Sequence, residues 1–260
     1  MPMKLVLVQP RLAFDVQADN PGMIDRLLEP LAGTLAPDDI VLLPEYYDLR
    51  PSRSDYEANV RALAQRLGCH LVGGSHHEDR GDHKINAGVV ADGGGHLIGA
   101  YEKVRPYAEE RSRVGGGSQR GEITIGGKRV LVLVCADFWF SDLFQRTAVL
   151  PDLVLVPAHS VTRKPTPDYS RSLWRHLAIA RAYEFGVYVG ISDWQHTPVT
   201  FGLPASGVGG FADPTQIEPD AFFQPIAGAV RSYELDFAAL DAFRSDRLKR
   251  GFFWRIPPSG

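Results

Sequence analysis

The chain has 260 residues, 44% of them hydrophobic, a net charge of −3, and two cysteines, Cys69 and Cys135. That length fits one large domain or two small ones and buries a full core without staples. The near-neutral charge argues against the basic face of a nucleic-acid binder, two cysteines are too few for a disulfide framework, and no stretch reaches the roughly 20 apolar residues that span a bilayer.

The N-terminus "MPMKLVLVQPRLAF" places one basic residue before a short apolar run cut by Gln9 and Pro10. It reads as a first strand, "KLVLVQ", rather than a signal peptide. A cytoplasmic protein with reduced thiols is therefore expected. "PGMIDRLLEPLAGTL" follows with Met23, Ile24, Leu27, Leu28 and Leu31 at helical spacing, and Pro21 suits the helix start. "DDIVLLPEYYD" is a second strand ending at Pro44 and Glu45. "SDYEANVRALAQRLG" is a helix, with Ser54 and Glu57 at capping-box spacing and Gly68 at its close.

Three strands joined by glycine turns come next: "HLVGGS", "INAGVVAD" and "HLIGAYEK". "EITIGGKRVLVLV" is a hairpin turning at Gly126-Gly127. "SDLFQRTAVL" reads as a short helix capped by Ser141, "DLVLVPA" as a buried strand, "SRSLWRHLAIARAYEFG" as a helix and "VYVGIS" as a strand. The last third holds "GVGGFADP", "GAVRSYELD", a short helix over Phe237–Phe243 and an aromatic tail, "GFFWRIPP". No Pro-, Gly- or Ser-rich linker divides this order, and the alternation favours a layered α/β domain.

Three ionisable residues share one placement. Glu45 follows "IVLLP", Lys103 follows "LIGAYE" and Cys135 follows "VLVLV". Ligands of open α/β sheets bind outside the carboxyl ends of the strands. A thiol becomes a strong nucleophile when an adjacent base takes its proton, a carboxylate can be that base, and a lysine can receive an oxyanion. The trio suits acyl transfer through a thioester. Each residue alone has an ordinary explanation: a lone cysteine is commonly a small buried hydrophobe, and a lone Glu or Lys at a strand end is commonly solvated. Strand order, which decides between the readings, is not visible in the sequence.

At these residues the sequence resembles the nitrilase superfamily, the carbon–nitrogen hydrolases, from "KLVLVQP" to "SYELDF". The family's Glu, Lys and Cys motifs are matched in order by "VLLPE", "YEKVRPYAEER" and "VLVCADFWFSDL". Carried over by position, the resemblance makes Cys135 the nucleophile, Glu45 the general base and Lys103 the cation at the oxyanion. The Ala136 N–H becomes a second oxyanion donor. Glu110 best fits the further active-site glutamate, with Glu109 adjacent. Many relatives have a large residue where this chain has Ala136, and Pro-Glu where it has Ser141-Asp142.

The resemblance implies a four-layer α-β-β-α sandwich, one domain over residues 1–260. It implies a homodimer or higher homo-oligomer, with the tail from about 246 to 260 packing on a partner subunit. It implies hydrolysis of a small amide, without metal or organic cofactor and without nucleic-acid or membrane partners. The alternatives on the same triad are a nitrilase or an N-carbamoyl-amide hydrolase; a silent binding protein of this fold is a third reading. Cys-Ala-Asp at 135–137 favours the amide, because the family's nitrilases commonly carry Cys-Trp-Glu. Trp139 and His159 are candidate substrate contacts, and Phe138 is a candidate wall or core residue. Arg163 and Lys164 are candidate partners for a substrate carboxylate, although solvated loop charges are commoner. His76, His77 and His83 match no standard zinc spacing and read as a polar hairpin loop. Gly93-Gly94-Gly95 and Gly115-Gly116-Gly117 lack the context of a phosphate loop.

Overall fold

Strand β1 (Met3–Val8) sends alternate side chains into two different interiors. Leu5 and Leu7 join one apolar cluster, while Val6 and Val8 join another. The period of two requires this of any strand buried on both faces. The computed structural model describes residues 2–50, 52–197 and 204–253.

β1 lies parallel to β2 (Ile40–Leu42), and β2 lies parallel to β3 (His70–Val72). The sheet continues antiparallel through β5 (Lys84–Ala91) to β4 (His76–Asp79), while β6 (Leu97–Glu102) and β7 (Val114–Gly115) also pair with β5. β14 (Val230–Leu235) closes the other edge against β1. Val6, Val41 and Leu71 meet helices α1 (Asn20–Leu28) and α2 (Arg53–Leu67) through Ile24, Leu28, Val60 and Leu67.

The second sheet centres on parallel strands β9 (Lys128–Val132), β10 (Leu153–Pro157) and β11 (Tyr188–Ser192). β8 (Gly121–Ile125) flanks it on one side, and β12 (Gly210–Ala212) and β13 (Phe223–Pro225) on the other. After β9 come a 3₁₀ turn and the one-turn helix α3 (Ser141–Gln145). Trp174, Ala178, Ala182 and Phe185 of α4 (Asp168–Phe185), together with Leu240 of α5 (Phe237–Lys249), cover this sheet's outer face.

The two sheets face each other across Leu5, Leu7, Leu42 and the β9–β11 side chains, giving an α-β-β-α sandwich. Gly190 permits their close approach: a Cβ there would sit 2.6 Å from Leu5 Cδ2. Ser192 stitches the sheets, its hydroxyl donating to the Leu42 carbonyl at 2.8 Å and accepting from the Val8 N–H at 2.9 Å.

Several local expectations change. The cap of α2 is Ser52, whose Oγ accepts from the Asp55 N–H at 3.2 Å; Glu57 instead pairs with Arg53. Ser141 is the first residue of α3 and Phe140 holds the cap position. His76–Asp79 is strand β4, not loop, because pairing with β5 satisfies its backbone, while the buried Glu78 carboxylate pairs with Arg53 and Arg80 and Asp79 is exposed. Residues 246–249 of the expected tail continue α5, and Trp254 lies outside the described residues. Among the described residues no helix is long and apolar enough to cross a membrane.

Candidate active site

The chain leaving β2 carries Glu45 and then Tyr46, whose φ of +58° lies in a region that L side chains rarely adopt. The Tyr46 N–H is tied to the Ser75 carbonyl at 3.0 Å. The chain leaving β6 carries Lys103, fixed by its N–H on the Asn86 carbonyl at 2.8 Å. The chain leaving β9 turns abruptly at Cys135, with φ +47°, and opens the 3₁₀ turn Cys135–Trp139. A strained residue there lifts the thiol out of the sheet, and the first N–H groups of such a turn have no partner within it. Ala136 supplies one of them.

These strand ends meet. Lys103 Nζ donates to Glu45 Oε1 at 2.8 Å and to Glu110 Oε2 at 2.6 Å. Asn86 Nδ2 lies 2.8 Å from Glu45 Oε1 and 2.9 Å from Glu110 Oε1. The other Glu45 oxygen accepts the His159 N–H at 3.0 Å, and Cys135 Sγ lies 3.8 Å from the His159 carbonyl. Glu45 is 1% exposed, Lys103 2% and Cys135 8%, so all three are nearly sealed from water.

Asp137 explains the acid two residues after the cysteine. Its carboxylate accepts the Val104 N–H at 2.9 Å and the Arg105 N–H at 2.8 Å, clamping the nucleophile turn to the chain just past Lys103. A bidentate Arg105–Asp142 pair, at 2.7 and 2.8 Å, adds a second clamp. Asp193 pins the loop after β10 by accepting the Ser160 and Val208 N–H groups, each at 2.9 Å. Burial pushes both carboxyls up to about 6, against the N–H groups that pull them down.

Two buried carboxylates face one ammonium beside the thiol. Burial, then the charge of Glu45, push the Cys135 thiol well above its ordinary value, and Lys103 opposes them. The resting sulfur is a thiol with a base beside it. Burial disfavours the Lys103 ammonium, yet Glu45, Cys135 and Glu110 together raise it above the usual lysine value, so it stays charged. Burial works against the Glu110 carboxylate, but hydrogen bonds and charge from His77, Lys103 and Tyr46 hold it below the usual range. Burial, then Lys103, lower the His159 imidazole to about 4, so it is neutral.

The structure brings Glu45, Lys103, Cys135 and Glu110 together, with Ala136 beside the thiol. Glu109 is exposed and does not join them. His159 contributes its backbone to Glu45, while its ring stacks on Phe14 at 5.5 Å and packs on Trp194 at 4.5 Å. Trp139, the last residue of the 3₁₀ turn, is 39% exposed and lies edge-on to Trp174 of α4. Phe138 is a core residue between Phe144 and Trp174. Arg163 lies over the Tyr107 ring at 5.8 Å and Lys164 near Tyr169 at 5.4 Å. His76 stacks on Tyr56, His83 pairs with Asp82, and only His77 reaches the site. Among the described residues no grouping of His, Cys, Asp and Glu suits a metal ion.

Asn86, Tyr46 and His77 escape sequence reasoning. Asn86 left a signal, a lone amide inside the apolar run of β5 and fully buried. Tyr46 left a weaker one, as the residue beside Glu45. His77 left none.

The carbon-nitrogen hydrolase family profile matches residues 7–194. Among solved structures, XC1258 of Xanthomonas campestris, a CN-hydrolase superfamily protein with an arsenic adduct in its active site, is similar at a TM-score of 0.77 and 24% identity, covering 95% of each chain. Nit3 of Saccharomyces cerevisiae, of branch 10 of the nitrilase superfamily, is similar at 0.76 and 21%, covering 94% of this chain and 93% of that one. An amidase from Nesterenkonia sp. is similar at 0.72 and 22%, covering 96% of each. No curated protein sequence matches significantly.

Proposed function

The chain belongs to the carbon-nitrogen hydrolase family, and on that premise we propose that it hydrolyses a small linear carboxamide through a thioester on Cys135. Glu45 takes the thiol proton as Sγ attacks the carbonyl carbon. The oxyanion is received by Lys103 Nζ and the Ala136 N–H. As the tetrahedral adduct collapses, the C–N bond breaks and Glu45 passes its proton to the departing nitrogen, releasing ammonia. Water then attacks the thioester, Glu45 accepts its proton, and the sulfur leaves and is reprotonated. Glu110 is the second carboxylate that holds Lys103, at 2.6 Å.

The observation that carries the reading is the shared ammonium. Lys103 touches Glu45 at 2.8 Å, and Glu45 is the charge that most raises the neighbouring thiol. A base, its nucleophile and a cation for the oxyanion thus occupy one sealed space. A glutamate-to-glutamine mutant of the Nesterenkonia amidase shows the result of Michael addition of acrylamide at its active site cysteine. A cysteine nucleophilic toward an unsaturated amide in that protein supports Cys135 as the nucleophile here. The test is ammonia release from a panel of amides, nitriles and carbamoyl compounds, with Cys135→Ala as control. Turnover confined to nitriles or carbamoyl compounds would promote those readings. Labelling of Cys135 without any turnover would favour a silent binding protein.

Assembly as a homodimer through the α4–α5 layer is part of the proposal. A groove of about 820 Å³ runs there, lined by Ile179, Tyr183, Phe222 and Phe252 among others. Light scattering that returns a monomer at every concentration would remove it.

A further inference from the structure

Glu45 and Tyr46 are consecutive, yet both side chains enter one hydrogen-bond network. Extended backbone would send them to opposite faces. The left-handed φ of Tyr46 turns the second back beside the first, and backbone strain of this kind collects where function demands a geometry.

The Tyr46 hydroxyl is fully used. Its one proton goes to Glu110 Oε1 at 2.5 Å. Its lone pairs face Asn86 Nδ2 at 2.9 Å and His77 Nε2 at 3.0 Å. The phenol donates to Glu110, so the His77 nitrogen that meets it must carry a proton. That nitrogen also lies 3.5 Å from Glu110 Oε1, and the two rings meet edge-on at 4.7 Å. The second Glu110 oxygen accepts Lys103 and the Tyr107 N–H, the latter at 3.0 Å. His77 is half-buried on β4, where solvent reaches one side of its ring.

We propose that Tyr46 and His77 are positioning residues that hold Glu110, and through it the Lys103 ammonium, where the reacting carbonyl oxygen develops its charge. The proposal rests on the amide-hydrolysis reading and adds two residues to it. The chain of contact runs from solvent at His77, through the phenol, to a carboxylate locked from five directions, and ends on the cation. Glu110 is faced by Lys103 from the end of β6, Tyr46 from the chain after β2, His77 from β4, Asn86 from β5, the Tyr107 N–H from its own turn and His159 from the second sheet, while Glu45 shares the Lys103 ammonium and Asn86 with it and Cys135 acts on Tyr46 and Lys103. Hydrogen bonds from His77, Lys103 and Tyr46 are the main ones that hold its carboxyl down. Loss of the phenol or the imidazole lets Glu110 take a proton at a higher pH, and it then releases Lys103.

Ammonia-release kinetics of Tyr46→Phe, His77→Leu, His77→Gln, Glu110→Gln and the Tyr46→Phe/Glu110→Gln double variant test this. Tyr46→Phe keeps the ring and should lose about tenfold or more in kcat, with KM within about twofold. His77→Leu should shift the acid limb of the kcat profile to higher pH, and His77→Gln, which keeps a side-chain N–H at similar reach, should restore it. The double variant should be no slower than Glu110→Gln alone. Full kcat in Tyr46→Phe, or losses that multiply in the double variant, would overturn the proposal. A second arm needs no substrate. Lys103 draws the Cys135 thiol toward thiolate, so iodoacetamide labelling of Cys135 at pH 8 should slow in Tyr46→Phe and His77→Leu. If the wild type released ammonia from nothing, the amide reading would fall while this arm still decided the positioning roles. Unchanged labelling in both variants would overturn them.

Discussion

Lys103→Met keeps the side-chain length and removes the charge. The lysine donates at 2.8 Å to Glu45 and at 2.6 Å to Glu110, and all three groups are largely buried. Two losses follow. Removing one oxyanion donor costs about 10²–10³ in rate, or roughly 3–4 kcal/mol of transition-state stabilisation. Breaking a buried ion pair by deleting one partner costs roughly 3–5 kcal/mol of stability, because uncompensated charge stays behind. The stability loss has a signed pH dependence. In the wild type Glu110 is held low, so its contribution is present above the unfolded carboxylate value and lost as pH falls. Without Lys103 the pull that holds it low weakens while burial still raises it, so less of that contribution is present at pH 7 and less is left to lose as pH falls. The deficit of the variant should therefore shrink as pH falls from 7 toward 4. Denaturant unfolding across that range gives the stabilities, and ammonia release at pH 7 gives kcat and KM. A kcat within tenfold of wild type, or a deficit that grows on acidification, would refute the reasoning.

Three further outcomes are expected. Glu45 is the base for a thiol that burial holds protonated at rest, so Glu45→Gln should slow iodoacetamide labelling of Cys135 at pH 7 and collapse amide turnover; labelling as fast as or faster than wild type would mean that Glu45 acts on the thiol only as a charge and not as its base. Glu110→Gln should lower kcat by about tenfold or more, in line with loss of an orienting charge-assisted contact, whereas Glu109→Gln should stay near wild type; the reverse ranking in a kinetic assay would move the fourth residue by one. Matched amide and nitrile pairs compared by kcat/KM should favour the amide, because Lys103 and the Ala136 N–H suit a tetrahedral oxyanion better than the charge on a linear nitrogen, and a nitrile preference in every active pair would reject the amide assignment.

The layered fold was legible because each central strand is an unbroken apolar run with a polar residue at its carboxyl end. Glu45, Lys103 and Cys135 stood out for that reason. The network around them did not, since its bonds join residues far apart in sequence: Asn86 reaches back 41 positions to Glu45, and His77 reaches 31 to Tyr46. No local period encodes such a contact. β4 was hidden because "HHED" carries charge where strand patterns carry apolar residues, and its edge pairing with β5 makes that composition permissible. The role of Asp137 needed the fold as well, because the N–H groups it clamps belong to the chain after Lys103.

The most direct test of the central claim is to trap the acyl-enzyme. A slowly hydrolysed amide, acid quench and peptide mass spectrometry should place the acyl group on the peptide containing Cys135, with ammonia released in the same burst. Cys69, fully buried and with its thiol pushed up to about 12 by burial, should carry none. Acylation at Cys69, or undiminished turnover in Cys135→Ala, would contradict the account.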